Sequence, residues 1–245
     1  ILYSAEELAV IMNAESLIQN KDILIRTLVT DSRKLTEISH ALFFALKARR
    51  DGHSFISAVY DAGVRSFVIS DFELDTRLYP DANFYRVGDT LMALQDLSAA
   101  HRSKFNFPVI GITGSNGKTI VKEWLSQMLT PEYVVVKNPR SYNSQLGVPL
   151  SVWQMSELHT MGVFEAGISR PAEMKYLQQV IQPTLGIFTN IGSAHDEGFE
   201  NREQKINEKF KLFENAEIIF YSKNHLELDQ IITQKNKKTV TWSYK

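Results

Sequence analysis

The feature that most constrains the fold is a regular alternation of short apolar segments with amphipathic segments in the second half of the chain. The apolar segments have the length of buried strands, and the segments between them repeat their apolar residues at helical spacing. The predicted strands are 109–113, 133–137, 161–166, 185–191 and 217–222, and the predicted helices are 118–129, 171–181 and 202–213. This alternation predicts a parallel sheet with helices covering both faces.

The first half of the chain is less regular, and Asn106-Phe107-Pro108 separates the two halves. Its predicted elements are a capping box at 4–7, strands at 41–46 and 66–70, and helices at 54–62 and from Asp89 to Lys104. We therefore predict an α/β protein with a small domain over residues 1–107 and a mostly parallel-sheet domain over residues 108–245. The second domain ends on a strand-like segment at 239–245 and is expected to be incomplete.

The balance of charge and the absence of cysteine argue against several classes of protein. Lysine and arginine number 27 and aspartate and glutamate 28, so the net charge of −1 argues against a nucleic-acid partner or an anionic membrane surface. Without cysteine the chain has no disulfide, thiolate metal site or cysteine nucleophile, which is compatible with a reducing cytoplasm. No apolar run approaches about 18 residues, and no secretory signal is visible. Because the first residue is Ile1, we expect a piece of a longer protein.

The stretch GITGSNGKTI links a predicted strand to a predicted helix and has the composition of a phosphate-binding loop. Gly114 and Gly117 allow the backbone to approach an anion and to turn its amides toward it. The start of the following helix adds partial positive charge. Lys118 is expected to contact the terminal phosphates of a nucleotide, and Thr119 is expected to offer its hydroxyl to Mg²⁺.

The shortened form of this loop points to one family. The common spacing G-x-x-x-x-G-K-[ST] would need a glycine where Ile112 stands. T-G-S-N-G-K-T, residues 113–119, resembles instead the loop of the Mur ligases and their folate-ligase relatives, which couple ATP cleavage to amide-bond formation. The resemblance implies that ATP and Mg²⁺ bind here. The residues that it assigns to nucleotide binding are Gly114, Ser115, Asn116, Gly117, Lys118, Thr119 and, further along the chain, Asn190.

A second segment distinguishes two branches of this family. NPRSYNSQLGVPL, residues 138–150, resembles the N-x-N-N-x-x-G-V-P-L segment of the branch that adds D-alanyl-D-alanine to the cell-wall precursor. The sister branch, which adds the third amino acid, usually has a threonine-rich segment here. The Lys-Glu pair at 122–123 also resembles the first branch. The resemblance assigns Asn143 to substrate contact.

Two later segments resemble the family's metal-binding motifs. VFEAG, residues 163–167, resembles V-x-E-x-G and places Glu165 at the end of a predicted strand, where parallel sheets bind their ligands and where a carboxylate suits Mg²⁺. TNIGSAHDEGF, residues 189–199, resembles T-N-I-x-x-A-H-L-E-G-F, which implies that His195 binds or neighbours a second Mg²⁺. A lone glutamate or histidine at a strand end is more often a surface or packed residue, so both assignments depend on the resemblance.

The predicted helix 202–213 contains the lysine that the family carbamylates with CO₂. The resemblance assigns this role to Lys209, because a carbamate converts a cation into an oxygen ligand for Mg²⁺. Lys205 and Lys211 lie close by, and from the residues alone any of the three could be a solvated helix charge. The modification needs a neutral amine and therefore a lowered pKa.

Three short segments of the first half resemble the UDP-binding domain of the same ligases. They are TDSR at 30–33, LFFALK at 42–47 and DGHSF at 51–55. Arginine and lysine suit a diphosphate, and aspartate and serine suit hydroxyl or imide groups. Where the family has glycine this chain has Ala48, so the approach of the backbone there is expected to differ. The residues that the resemblance assigns to the substrate are Asp31, Ser32, Arg33 and Lys47.

Taken together, the resemblance implies a cytoplasmic, ATP-dependent ligase of peptidoglycan synthesis, and so of cell-wall biogenesis, cell shape and cell division. The implied reaction adds D-alanyl-D-alanine to UDP-MurNAc-tripeptide through an acyl phosphate, with Lys118, Lys209 and His195 as catalytic residues. The family also has a C-terminal domain, for which this chain has no room, so the chain alone is expected to be inactive as a ligase. The resemblance leaves open a fusion to further domains such as an alanine racemase.

Three alternative functions remain at this stage. The first is a ligase of the sister branch, which the segment 138–150 argues against. The second is a P-loop kinase or GTPase, which would not be expected to carry the DSR and DGH segments in a preceding domain. The third is a binding module that keeps the nucleotide site without the chemistry.

Overall fold

A computed structural model describes residues 1–192 and 196–244 of the chain. The chain divides into two compact units, Ile1–Leu97 and Ser98–Lys245, and each has its own sheet. The domain boundary near residue 107 stays a prediction. Among the described residues, no helix combines the length and the apolar character that crossing a bilayer requires.

The first unit is built on a five-stranded sheet in the order β1-β5-β4-β3-β2. The strands are β1 (Glu15–Leu17), β2 (Thr27–Val29), β3 (Ala41–Phe44), β4 (Ser66–Ile69) and β5 (Asn83–Arg86), and the helices are α1 (Ala5–Ile11), α2 (Ile56–Asp61) and α3 (Thr90–Arg102), which continues into the second unit. All neighbouring strands are parallel except β1 and β5. The strands β3 and β4 are wholly buried, as their continuous apolar sequences predict.

The helix starts of the first unit follow from short polar side chains. Ser4 and Glu7 form the predicted capping box, with the serine oxygen 3.2 Å from the Glu7 amide. Asp89 accepts hydrogen bonds from the amides of Leu91 and Met92 and so caps α3 as predicted. The strands β1, β2 and β5 were not predicted; β1 and β2 are only three residues long, and β1 is exposed.

The second unit is built on a six-stranded sheet whose strands are all parallel, in the order β11-β10-β9-β6-β8-β7. The strands are β6 (Val109–Thr113), β7 (Val135–Lys137), β8 (Met161–Glu165), β9 (Leu185–Phe188), β10 (Ile218–Ser222) and β11 (Lys238–Trp242). The helices are α4 (Lys118–Leu129), α5 (Gly147–Val152), α6 (Glu173–Ile181), α7 (Arg202–Phe210) and α8 (Leu226–Thr233). The predicted α/β class with a mostly parallel sheet is confirmed.

The strand order places three chain segments at one edge of this sheet. The strand β6 lies between β9 and β8, and the carboxyl ends of parallel strands meet at the same edge. The phosphate-binding loop follows β6, Glu165 ends β8, and residues 189–192 follow β9. Several elements here differ from prediction, among them β9, which ends at Phe188 rather than at residue 191. Helix α6 begins at Glu173 because Ala172 has a left-handed backbone, and α5 was not predicted because it is only six residues long.

Candidate functional site

The loop after β6 has a backbone that only glycine adopts easily at two positions. Gly114 has φ of +143°, and Gly117, with φ of +79°, is the residue that precedes helix α4. A Cβ atom on Gly114 would lie 2.0 Å from the Thr189 hydroxyl and 2.9 Å from the Asn190 carbonyl oxygen. The loop is therefore packed directly against the segment that follows β9.

Hydrogen bonds fix the loop to that neighbouring segment. The Ser115 amide donates to the Asn190 carbonyl at 3.0 Å, and the Asn116 amide donates to Asn190 Oδ1 at 3.0 Å. The Thr189 hydroxyl donates to the Asn116 carbonyl at 2.6 Å. The Ser115 hydroxyl and the backbone of Gly192 exchange hydrogen bonds of 3.0 and 3.1 Å. Asn190 and its neighbours after β9 thus hold the loop after β6 in one conformation.

Lys118 folds back over the loop. Its Nζ donates to the Gly114 carbonyl at 2.9 Å and to the Ser115 carbonyl at 3.2 Å. Burial lowers the pKa of Lys118, the nearby Glu165 partly opposes this shift, and Lys205 adds to it. This half-buried ammonium group lies against two loop carbonyls, where the oxygens of a bound phosphate would replace those carbonyls as its partners.

Glu165 is fully buried and has one carboxylate oxygen held and one unused. Its Oε1 accepts from the Thr119 hydroxyl at 3.1 Å and from Asn143 Nδ2 at 3.4 Å. Its Oε2 is buried and has no hydrogen-bond partner among residues 1–192 and 196–244. A buried polar oxygen without a partner is costly inside a protein, and Mg²⁺ prefers hard oxygen ligands beside a phosphate loop. The side chains of Thr119 and Glu165 therefore fit a magnesium ion.

Burial distinguishes Lys211 from the two other lysines on and near α7. Lys209 is 1% exposed, and its Nζ lies 3.4 Å from the Gly114 carbonyl oxygen. Its burial, with smaller effects from Lys118 and Lys205, lowers the pKa of Lys209 to about 7. Lys205 is also buried and donates to the Gly192 carbonyl at 2.6 Å, whereas the half-exposed Lys211 pairs with Glu208. The lowered pKa of Lys209 favours the neutral amine that carbamylation needs.

His195, the remaining predicted residue of this site, lies outside the described residues. Among residues 1–192 and 196–244, no three histidine, aspartate or glutamate side chains are close enough together to hold a metal ion. The role of His195 therefore stays a prediction.

The structure adds one residue of this site to which the sequence assigned no role. Lys122 is fully buried on α4, with its Nζ 3.9 Å from Glu165 Oε1. Only its place in the Lys-Glu pair that follows the loop could have drawn attention to it.

The predicted substrate residues of the first unit lie on two turns. Arg33 makes two parallel hydrogen bonds of 2.9 Å to the Asp31 carboxylate, which hold the pKa of Asp31 well below its usual range. Ser32 is half-buried between them, and Lys47 is exposed at the start of the next turn. His53 contacts the Asp51 carboxylate through Nδ1 and accepts from the Ser70 amide through Nε2, so it holds its loop in place.

A phosphate loop at the carboxyl end of an inner parallel strand, with a carboxylate on the neighbouring strand, defines the class of P-loop nucleotide-binding α/β proteins. Residues 112–245, more than half of the chain, match the Mur ligase middle domain. The chain therefore belongs to the Mur ligase family. The predicted family is confirmed, and the alternative of a P-loop kinase or GTPase is set aside.

Individual relatives agree with this assignment. The chain is 37% identical over 188 residues to the UDP-N-acetylmuramoyl-tripeptide–D-alanyl-D-alanine ligase of Bacillus subtilis, covering 76% of this chain and 40% of the relative. It is 32% identical over 258 aligned positions to the ligase of the same name from Borreliella burgdorferi, covering 100% of this chain and 55% of the relative. The crystal structure of the MurF ligase from Thermotoga maritima in complex with ADP superimposes with a TM-score of 0.80 at 27% identity, covering 91% of this chain and 52% of that one. The chain thus spans about half the length of the relatives it matches.

Proposed function

We propose that the full-length protein carrying this chain is an ATP-dependent ligase that joins D-alanyl-D-alanine to UDP-MurNAc-tripeptide in peptidoglycan synthesis. The observation that carries the proposal is the pairing of Thr119 and Glu165 beside the phosphate loop. A threonine hydroxyl on that loop and a buried carboxylate with an unused oxygen together suit the magnesium complex of ATP. The choice of substrates rests on relatives that are named for this reaction.

The residues of the second unit have separate roles in the proposed reaction. A carboxylate oxygen of the tripeptide attacks the γ-phosphorus of ATP, ADP leaves, and an acyl phosphate forms. The amine of D-alanyl-D-alanine then attacks the acyl carbon, loses a proton and displaces phosphate. Backbone amides at the start of helix α4 and the Lys118 ammonium bind the phosphates and offset the charge that builds on them. Mg²⁺, when bound by Thr119 and Glu165, would supply further charge neutralisation.

Lys209 is proposed to be carbamylated and to serve as a further oxygen ligand for a magnesium ion. In that reaction the neutral Nζ attacks CO₂ and releases a proton, which leaves an anionic carbamate. The burial of Lys209, its lowered pKa and its place beside Gly114 support this role. We also propose that His195 lies near the second ion, as the resemblance implies. Asn143 and Asn190, which contact Glu165 and the loop, are proposed to line the substrate side and the nucleotide side.

The first unit is proposed to bind the uridine diphosphate part of the substrate. Replacing Lys47 with alanine is expected to raise the Kd for UDP about tenfold, because the loss of one charge-assisted contact costs on the order of 1.4 kcal/mol. Lys21→Ala removes an equally exposed lysine that pairs with Glu6 instead, and should leave the Kd unchanged. Calorimetric titration of the full-length protein with UDP measures both. Equal Kd values for the wild type and the Lys47 variant would contradict this assignment.

A substrate panel tests the proposed function. The full-length protein is incubated with ATP, MgCl₂ and either UDP-MurNAc-tripeptide plus D-alanyl-D-alanine or UDP-MurNAc-dipeptide plus single amino acids, and released phosphate is measured. We expect turnover with the first pair only, and Lys118→Met should reduce it about a thousandfold. Turnover with the dipeptide instead would assign the protein to the sister branch, and no turnover with either would favour a binding module. A cytoplasmic location follows as part of the proposal, because ATP and these nucleotide substrates are used there.

A further inference from the structure

Lys122 is a buried cation at the meeting point of three elements of the second unit. It lies on α4 with no exposed surface, and its Nζ donates to the Asn138 carbonyl at 2.8 Å and to the Arg140 carbonyl. The Glu123 carboxylate is 3.3 Å away, and Glu165 Oε1 is 3.9 Å away. An ammonium group this deep in a protein persists only where carbonyls and carboxylates replace its water.

The contacts of Lys122 continue through Asn138 to the backbone of Glu165. Asn138 is also fully buried, and its Oδ1 accepts from the Glu165 amide at 2.6 Å. Its Nδ2 donates to the Tyr142 carbonyl at 2.7 Å and lies 3.4 Å from the Glu165 carbonyl. Lys122 therefore holds the backbone of Asn138, while the side chain of Asn138 holds the backbone of Glu165.

The two carboxylate oxygens of Glu165 have different surroundings. Its Oε1 faces the Thr119 hydroxyl, Asn143 Nδ2 and Lys122 Nζ at 3.1, 3.4 and 3.9 Å. Its Oε2 has no hydrogen-bond partner in the described part of the chain. Two hydrogen bonds and the nearby Lys122 ammonium thus orient one oxygen of the carboxylate, and the other oxygen is left without a partner, as a cation ligand requires.

We infer that Lys122 is a positioning residue that holds Glu165 and the loop 138–143 in the arrangement that binds the magnesium ion of the nucleotide. Lys122 is not proposed to contact phosphate, because its buried ammonium already faces the carbonyls of Asn138 and Arg140 and the Glu123 carboxylate. Its effect reaches the nucleotide through the orientation of one carboxylate. The inference rests on the nucleotide part of the proposed function, and it adds a residue that fixes how tightly the metal is held.

The experiment separates nucleotide binding with metal from nucleotide binding without it. The Kd of ADP for the full-length protein is measured by calorimetry in EDTA and then in excess MgCl₂, for the wild type and Lys122→Met. We expect the two proteins to bind metal-free ADP equally, because the loop amides are untouched. MgCl₂ should lower the Kd of ADP, and we expect the factor by which it does so to be at least about tenfold smaller in Lys122→Met. A tenfold change corresponds to the loss of roughly one charge-assisted contact. Lys175→Met, at an exposed site on α6, should behave as the wild type.

A second variant tests the same contacts without changing any charge. Asn138→Ala removes the side chain that holds the Glu165 backbone, and it should reproduce the loss of the MgCl₂ effect while metal-free ADP still binds. If Lys122→Met keeps the full tightening by MgCl₂, the inference is overturned. It is equally overturned if Lys122→Met and Asn138→Ala both lose metal-free ADP binding, because the residues would then support the fold as a whole.

These results are independent of the ligase assay. If the substrate panel fails but Lys122→Met loses the effect of MgCl₂ on ADP, the proposed function falls and the role of Lys122 stands. If the panel succeeds and the variant responds to MgCl₂ as the wild type does, the role of Lys122 falls and the proposed function stands.

Discussion

Replacing Gly114 with alanine is expected to weaken the binding of ADP by at least about a hundredfold, which corresponds to about 2.7 kcal/mol. The added Cβ would lie 2.0 Å from the Thr189 hydroxyl and within 3.0 Å of two backbone atoms of Asn190, at a φ of +143°. The loop must move away from that segment to relieve the overlap, and its amides then no longer point at one phosphate position. We also expect the free energy of unfolding to fall by about 2 to 4 kcal/mol. Calorimetry with ADP and urea unfolding measure the two effects.

Gly117→Ala provides the matched comparison for this prediction. Gly117 has φ of +79°, but no atom of residues 1–192 and 196–244 lies within 4 Å of a Cβ built on it. The variant therefore carries backbone strain without a collision, and should cost about 1 kcal/mol of stability. If Gly114→Ala binds ADP as tightly as Gly117→Ala does, the close approach between the loop and Thr189 has no functional importance.

Replacing Lys209 with methionine is expected to abolish ligase activity and yet to stabilise the substrate-free protein near pH 6. The activity should fall about a hundredfold or more, because a proposed metal ligand is lost. The stability should rise because methionine fills the buried site without a charge to desolvate. Opposite changes of activity and stability are characteristic of a residue kept for function at a cost to the fold.

The sign of the pH dependence follows from the lowered pKa of Lys209. The pKa falls from its ordinary value of 10.5 to about 7 on folding, so the unfolded chain binds the proton more tightly. Below about pH 7 the full cost of the buried charge is present, and between pH 7 and 10.5 stability rises as the amine loses its proton in the folded state. The stabilisation by Lys209→Met is therefore on the order of 5 kcal/mol at pH 6 and should shrink toward zero above pH 10.

Urea unfolding of both proteins at pH 6, 8 and 10 in buffer without CO₂ tests this prediction. Lys175→Met should change the free energy of unfolding by less than about 0.5 kcal/mol at every pH, because its site is exposed. A Lys209→Met variant that is less stable than the wild type by the same amount at all three pH values would show that the amine is not held neutral. In ¹³C-labelled bicarbonate, a carbamate resonance should be present in the wild type and missing from Lys209→Met.

Local sequence was enough to predict the elements that build the candidate site. The strand β6, the glycine loop and the start of α4 at Lys118 are consecutive in the chain. The prediction of each element therefore strengthens the prediction of the element that follows it. The parallel order of the second sheet follows from the same strand-helix alternation. The three-residue strand β1 and the six-residue helix α5 were not predicted. Segments this short do not show a clear repeat in the spacing of their apolar residues.

The contacts between distant segments could not be predicted. Thr189 meets Asn116 across 73 positions of sequence, and Lys122 meets the carbonyl of Asn138 across 16. Nothing in the residues themselves marks which partners the fold will bring together. The resemblance pointed to Lys209 among the three nearby lysines, but the residues alone did not show that its amine is enclosed beside Gly114 while that of Lys211 pairs with Glu208.

The central claim is that the loop from Gly114 to Thr119 binds the terminal phosphates of ATP while Glu165 holds the accompanying metal. A crystal structure of the protein with a non-hydrolysable ATP analogue and MgCl₂ tests it most directly. We expect Lys118 Nζ to leave the Gly114 carbonyl for phosphate oxygens, and Mg²⁺ to lie about 2.1 Å from the Thr119 hydroxyl oxygen with Glu165 among its ligands or their hydrogen-bond partners. Phosphates bound elsewhere, or a carboxylate of Glu165 that still contacts only protein groups, would contradict the claim.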